Sequence, residues 1–223
     1  GFKDLLSSIH DKWSKQEEKI RQSGDAIVNS FSQKLNTKIP FMDVLQPLIL
    51  TTAYEQLAQN FDTQNGGFGH SPKFPMGHTL SFLLRYWKNN NQPQALTIVE
   101  ETLLKMADGG ICDQLGGGFH RYATDAHWQV PHFEKMLYDQ ALLAKIYLEA
   151  FIATGKSAYA DTARQILDYV LRDMHDPRSG FYSAEDADSL EPDAAAECEK
   201  KEGAFYLWGA AELAGLLSPD ELN

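Results

Sequence analysis

Cysteine is scarce in this 223-residue chain. Cys112 and Cys198 stand far apart, with no Cys-x-x-Cys pair and no cysteine ladder of the zinc-ribbon kind. That usage fits buried or idle thiols in a reducing compartment, so a cytoplasmic location is expected, and a Cys112–Cys198 disulfide is the disfavoured alternative. Basic residues are outnumbered, 20 Lys and Arg against 31 Asp and Glu, for a formal net charge of −11. A nucleic-acid backbone or an anionic membrane as main partner is thereby disfavoured, because both select a basic surface. The simplest account of the charge is a solvated acidic exterior. No apolar run approaches membrane-spanning length, and the charged N-terminal stretch is no signal peptide. P-loop, Rossmann glycine, Gly-x-Ser-x-Gly and His-Glu-x-x-His patterns are all missing.

What the chain does have is a core and a peculiar set of loops. Hydrophobic residues make up 43%, enough for a packed domain. Apolar residues at three- and four-residue steps predict helices over 2–22, 25–35, 45–61, 79–88 and from Pro93 to Met106. Pro131 is read as the start of a further helix running to Thr154. It is apolar on most sides and so expected to be surrounded by protein. Gly155 should cap it and Ser157 should open the next helix. Residues 36–40 read as a linker, and a last helix begins near the C-terminus.

Between these helices lie loops rich in glycine, aromatics, His and acids. Gly67-Phe68, Gly118-Phe119 and Gly180-Phe181 each follow a helix and a turn, with a helical pair filling each interval. Helical hairpins in series with repeated polar loops favour a closed ring over an open solenoid. Short strands are expected at 119–122 and 127–130, around a turn at Thr124-Asp125, and a second pair from SGFYSAED and EGAFYLW.

Several residues could carry chemistry there. On a helix from Pro131, His132, Lys135 and Asp139 share one stripe, which turns apolar at Leu143. Such polar groups suit an inner helix opening into a wet cavity, whereas an Asp139–Lys135 pair with His132 capping a loop is the plainer alternative. His120 and Arg121 lie on the expected hairpin, and Trp128 offers a face for a sugar or base, unless it simply anchors the loop. Glu185 and Asp186, paired with Asp139 or Asp113, would supply the two carboxylates of glycoside hydrolysis. A His pair drawn from His70, His120 and His132 would supply the acid and base of an epimerase. Lys73, fixed between Pro72 and Pro75, could bind a carboxylate or phosphate, or lie idle at the surface. A metal on His127, His132 and Glu134 is a minority alternative; no metal or cofactor is expected.

The motifs GGFGHSPKFP, DQLGGGFHRYATDAHWQVPHFEKMLYDQA, SAEDADS and EGAFYLW together resemble the thioredoxin-domain-containing proteins of the spermatogenesis-associated protein 20 type, from about Phe41 onward. The resemblance implies an all-α fold with small β-hairpins in the loops. Specifically, it implies part of an α/α toroid similar to the six-hairpin glycosidases and N-acylglucosamine 2-epimerases. It also implies a division at 1–40, the helical exit from a thioredoxin-like domain plus linker, and 41–223, the toroid part. The chain is accordingly expected to be an internal fragment. The family's activity is unsettled. A sugar-like small molecule is the implied ligand, with catalytic roles for Asp139, His132, Glu185, Asp186, His70 and His120. Binding roles fall to Lys73, Arg121, Trp128, Lys135 and Asp113. The competing expectation is a non-catalytic scaffold that serves the thioredoxin-like domain as partner.

Overall fold

The computed structural model describes residues 1–35, 48–191 and 199–222. The chain divides into two compact units, Gly1–Pro47 and Leu48–Asn223. The first unit is α1 (Phe2–Leu35), interrupted at Gln16, whose φ of −140° and ψ of 28° are not helical. The break predicted at Gly24 is therefore misplaced. Glycine is tolerated inside a helix at about 1 kcal/mol, and nothing crowds Gly24. The predicted linker, residues 45–47 of the helix expected over 45–61 and Cys198 lie outside the described residues.

The second unit contains α2 (Leu48–Asn60), α3 (Gly77–Asn90), α4 (Pro93–Ala107), α5 (Leu137–Thr154), α6 (Ser157–Tyr169) and α7 (Ala210–Leu216), with a π-helical turn, Val170–Met174, extending α6. Local chemistry accounts for the boundaries. Pro93 occupies the first turn of α4, where its missing N–H costs nothing. Gly155 ends α5 at φ 73° and donates its N–H to the Phe151 carbonyl at 2.7 Å, the left-handed cap only glycine adopts freely. α3 packs on α4 and on α5, and α5 packs on α6. Leu80, Leu83, Ile98, Leu103, Ile146 and Tyr147 are shut off from solvent between them. The Tyr147 hydroxyl spends its donor on the Leu103 carbonyl at 2.7 Å, as a buried phenol must. α5 is not enclosed on all sides as its composition suggested, since Ile152 is 73% exposed.

Short turns join α3 to α4 and α5 to α6, making two helical hairpins. The long connections precede α3, α5 and α7, so they emerge at one end and meet there. Their strands are two residues each and antiparallel. β1 (Tyr122–Ala123) pairs with β2 (Pro131–His132), β3 (Lys135–Met136) with β4 (Ala184–Glu185), and β5 (Asp188–Ser189) with β6 (Lys201–Glu202).

Two expectations are corrected here. Residues 131–136 are extended, not helical, so His132, Lys135 and Asp139 do not form a helical stripe. Their backbone groups are taken by other loops, through β1 and β4, and a nonlocal ladder overrides the local proline signal. Nor do 127–130 form a strand. The Asp125 carboxylate accepts the N–H groups of His127 and Val130 at 2.5 and 2.6 Å. This winds the segment into a tight loop in which Trp128 takes a φ of 65°.

Candidate functional site

The glycine-aromatic loops share one construction. Asp62 accepts the N–H groups of Gln64 and Asn65 at 3.0 Å each, an Asx turn. Its own N–H donates to the Gly67 carbonyl at 2.9 Å. Asp113 does the same with Leu115 and Gly116, at 3.1 and 2.8 Å, and donates to the Gly118 carbonyl at 3.0 Å. Asp176 repeats the pattern with the Arg178 N–H at 2.9 Å and the Gly180 carbonyl at 3.0 Å. In the first two loops a lysine locks the turn. Lys73 donates to Asp62 at 2.5 Å and to the Gly66 carbonyl at 2.8 Å. Lys135 donates to Asp113 at 2.7 Å and to the Gly117 carbonyl at 2.9 Å.

These lysines are 0% and 1% exposed, so the binding roles expected for Lys73, Lys135 and Asp113 give way to structural ones. A buried ammonium must be paired, and here the pair is what closes each loop. Burial alone would push the Asp62 carboxyl up; the hydrogen bonds from Lys73, Asn65 and Gln64 hold it well below the usual carboxylate range instead. Trp128 is corrected likewise. It is 0% exposed, its indole N–H donates to the Asn65 carbonyl at 2.9 Å, and Lys73 sits over its ring at 5.5 Å. No ring face remains for a ligand, so Trp128 is the loop anchor of the plainer reading.

The loops converge by backbone contact, through a bridge between Lys73 and Ala123 and through β3 with β4. Above the start of α5 this assembles a polar cluster. Arg121 donates to Glu134 at 2.8 Å, and the Arg121 N–H donates to the Glu134 carbonyl at 2.8 Å. His132 Nδ1 lies 2.7 Å from Glu202 Oε1, while its Nε2 lies 3.8 Å from Glu134. Asp139, in the first turn of α5, has Arg121 and Glu134 as its charged neighbours. Rings wall the cluster. Tyr122 stacks on His132 at 4.9 Å, and Phe74 leans on Tyr122 at 4.9 Å. Tyr138 is half exposed and interacts with the Arg121 side chain.

Two atoms of this cluster are closed to solvent and have no hydrogen-bond partner among the described residues: Arg121 Nε, a donor, and Asp139 Oδ2, an acceptor. Burial raises the Asp139 carboxyl; Arg121 opposes this and Glu134 adds to it, and the group settles at about 6. The Asp139–Lys135 pair of the plainer alternative is absent, because Lys135 is committed to Asp113. Glu202 is a member that sequence reasoning missed. It lies 70 residues from His132, and only the third loop folding over the second reveals it.

The remaining expected residues sit elsewhere. Glu185 lines a different cleft, beside Lys135, where its two oxygens accept the Tyr169 and Tyr206 hydroxyls at 2.6 Å each. Burial first, and this carboxylate second, push both phenols well above their ordinary range. His120 is 2% exposed, edge-on to Phe133 and Tyr206. Burial and then the Lys135 charge push it down to about 4, so it stays neutral and out of reach. Asp186 points to solvent, 3.8 Å from Lys200. His70 borders a separate polar hollow with Gln59, Asp62 and Gln64. Of the three candidates for an epimerase-like His pair, only His132 stands in the cluster. The metal alternative is not assembled: His127 Nδ1 contacts Asn65 at 2.8 Å, away from His132. Among the described residues no group of three or more His, Cys, Asp or Glu could hold a metal, and no helix is long and apolar enough to cross a membrane.

Comparison with known proteins places this geometry. No protein-family model matches the chain. Human spermatogenesis-associated protein 20 is 40% identical over 224 residues, which cover 97% of this chain and 28% of that protein. An uncharacterized protein of Caenorhabditis elegans is 34% identical over 231 residues, 100% of this chain and 31% of that one. The chain thus spans less than a third of the length of these relatives. Among solved structures, a sugar epimerase from a ruminal bacterium superposes with a TM-score of 0.54 at 14% identity, over 62% of this chain and 40% of that one. The cellobiose 2-epimerase of Spirochaeta thermophila gives 0.53 at 18% identity, over 67% and 41%. These likenesses establish the fold as that of the α/α toroids. With the alignment spanning 97% of the chain at 40% identity, the chain is a homologue of one segment of the spermatogenesis-associated protein 20 proteins.

Proposed function

We propose that the cluster of Arg121, Asp139, His132 and Glu134 binds a sugar-like polyol, and that this part of the toroid is a carbohydrate-processing domain. The observation that carries the reading is the pair of opposite orphans. A buried donor and a buried acceptor left unmatched each cost roughly 1–3 kcal/mol. A hydroxyl group is both donor and acceptor, so one sugar hydroxyl could accept from Arg121 Nε and donate to Asp139 Oδ2. Phe74, Tyr122 and Tyr138 would supply the flat walls that ring faces favour. Proton transfer has two candidates. Burial raises the Asp139 carboxyl to about 6, towards the range where a general acid works best. His132 is oriented through Nδ1 by Glu202, which leaves Nε2 to exchange a proton. The sugar epimerases among the toroid neighbours support the same substrate class.

A second reading has its own support. Lys73, Lys135 and Glu185 are all consumed by internal contacts. That suits a scaffold which binds a ligand without turning it over, for a thioredoxin-like partner domain. Incubating the protein with reducing mono- and disaccharides in D2O separates the two. Deuterium entering at the carbon beside the carbonyl, or new reducing ends, both abolished by Asp139→Asn, support catalysis. Calorimetric binding of a sugar with neither change supports the scaffold. No binding by any sugar of the panel defeats both.

A further inference from the structure

A cleft of about 600 Å³ lies over Lys135, and Tyr182, Phe205, Asp173 and Glu185 are among the residues that line it. Arg121, Asp139, His132 and Glu134 are not, so it is independent of the proposed sugar site. An adjoining hollow of about 520 Å³ shares Asp113, Phe205 and Tyr206 with it and adds Trp208 and Glu212.

The charges in this double cleft do not balance. Asp113, Asp173, Glu185 and Glu212 supply carboxylates, and the two cations present are already spent. Lys135 is bound to Asp113 at 2.7 Å, and the Arg172 Nε donates to both Asp173 oxygens at 3.0 and 3.1 Å. Among the described residues Glu185 accepts from two phenol hydroxyls, which leave its charge in place. Glu212 receives a backbone N–H at 3.3 Å. The walls beside these uncompensated acids are aromatic and open: Phe205 is 71% exposed, and Tyr182 and Trp208 are 48% each.

Aromatic faces next to unneutralised carboxylates select a cation that carries apolar surface. A sugar gains nothing from the charge, and a hydrocarbon would strand it. The protein already uses this chemistry internally, since the Lys135 ammonium stands 4.3 Å from the Tyr169 ring and 5.1 Å from the Tyr206 ring.

We propose that the cleft binds a small organic cation, a compound bearing a primary or methylated ammonium group. The ammonium would lie against Phe205 and Tyr182, with the uncompensated Glu185 carboxylate supplying the field.

The test is calorimetric titration with choline and tetramethylammonium against 3,3-dimethylbutan-1-ol, the neutral isostere of choline. The cations should bind saturably, at least tenfold more tightly than the alcohol, and more weakly as salt is raised. Phe205→Ala should weaken choline roughly fivefold, the loss of one exposed cation–aromatic contact. Asp173→Asn should weaken it as well, because it frees the positive Arg172. Both side chains are substantially exposed, so neither change threatens the fold. Absence of saturable cation binding overturns the proposal. So does equal binding of the alcohol, or choline affinity unchanged in both variants.

Discussion

Replacing Asp139 with Asn removes a half-buried charge whose Oδ2 has no hydrogen-bond partner among the described residues, so the variant should be the more stable protein near neutral pH. Burial raises this carboxyl, Arg121 partly offsets the effect, Glu134 adds to it, and the result is about 6. The same group in an unfolded chain titrates at about 3.9. Between those two values the folded state binds more protons than the unfolded one. Stability therefore falls as pH rises through that window and levels off above it. A gap of about two pH units, at about 1.4 kcal/mol each, sets an upper bound of about 3 kcal/mol. The cluster is partly open to solvent, which reduces the figure, and a gain of about 1–2 kcal/mol at pH 7 is expected. Urea unfolding followed by far-ultraviolet circular dichroism measures it. The two proteins should be nearly equal at about pH 4, diverge towards about pH 6 and keep a constant gap beyond. A variant less stable than the parent at pH 7, or a gap that ignores pH, would show that Arg121 outweighs burial at Asp139 and that the charge is compensated. The case for a ligand hydroxyl at that atom would then fall.

Other consequences concern the loops. Lys73→Met strands the Asp62 carboxylate that the ammonium pairs, and should cost about 3–5 kcal/mol, the usual penalty for breaking a buried pair from one side. Lys135→Met should cost a similar amount through Asp113, and thermal unfolding reads both; a loss below about 1 kcal/mol in either would refute the staple role. Gly67→Ala adds a Cβ 2.5 Å from Trp128 Cζ2 at a φ of +76°. Backbone strain and overpacking each contribute about 1–3 kcal/mol, so a stable, well-folded Gly67→Ala protein would contradict the packing described.

Much of the fold was legible because its signals are local. Pro93, Gly155 and Ser157 mark helix ends by their own conformational preferences, and the structure places those ends where they point. The repeated Gly-Phe pairs likewise announced loops that meet. Pro131 misled for a physical reason: its preference for a first helical turn is worth less than the ladders Tyr122–His132 and Lys135–Glu185, which join distant residues. The lysine roles were misread because the sequence cannot show which acid a lysine reaches. A usable signal existed in the common spacing of Asp62 and Asp113 before their Gly-Gly-Phe triplets. The third loop gives Asp176 an exposed arginine instead of a buried lysine. In the site itself Arg121, His132 and Asp139 were singled out from their chemistry. Glu202 and the orphaned atoms needed the folded loops.

The central claim is that the converging loops leave Arg121 Nε and Asp139 Oδ2 poised for a hydroxyl of a bound sugar. Crystals soaked with reducing mono- and disaccharides test it directly. The account predicts density for a sugar hydroxyl within hydrogen-bonding distance of both atoms, with a ring against Tyr122 or Tyr138. Sugar density confined to other surfaces, or Arg121 and Asp139 bonded directly to each other with no room between them, would contradict it.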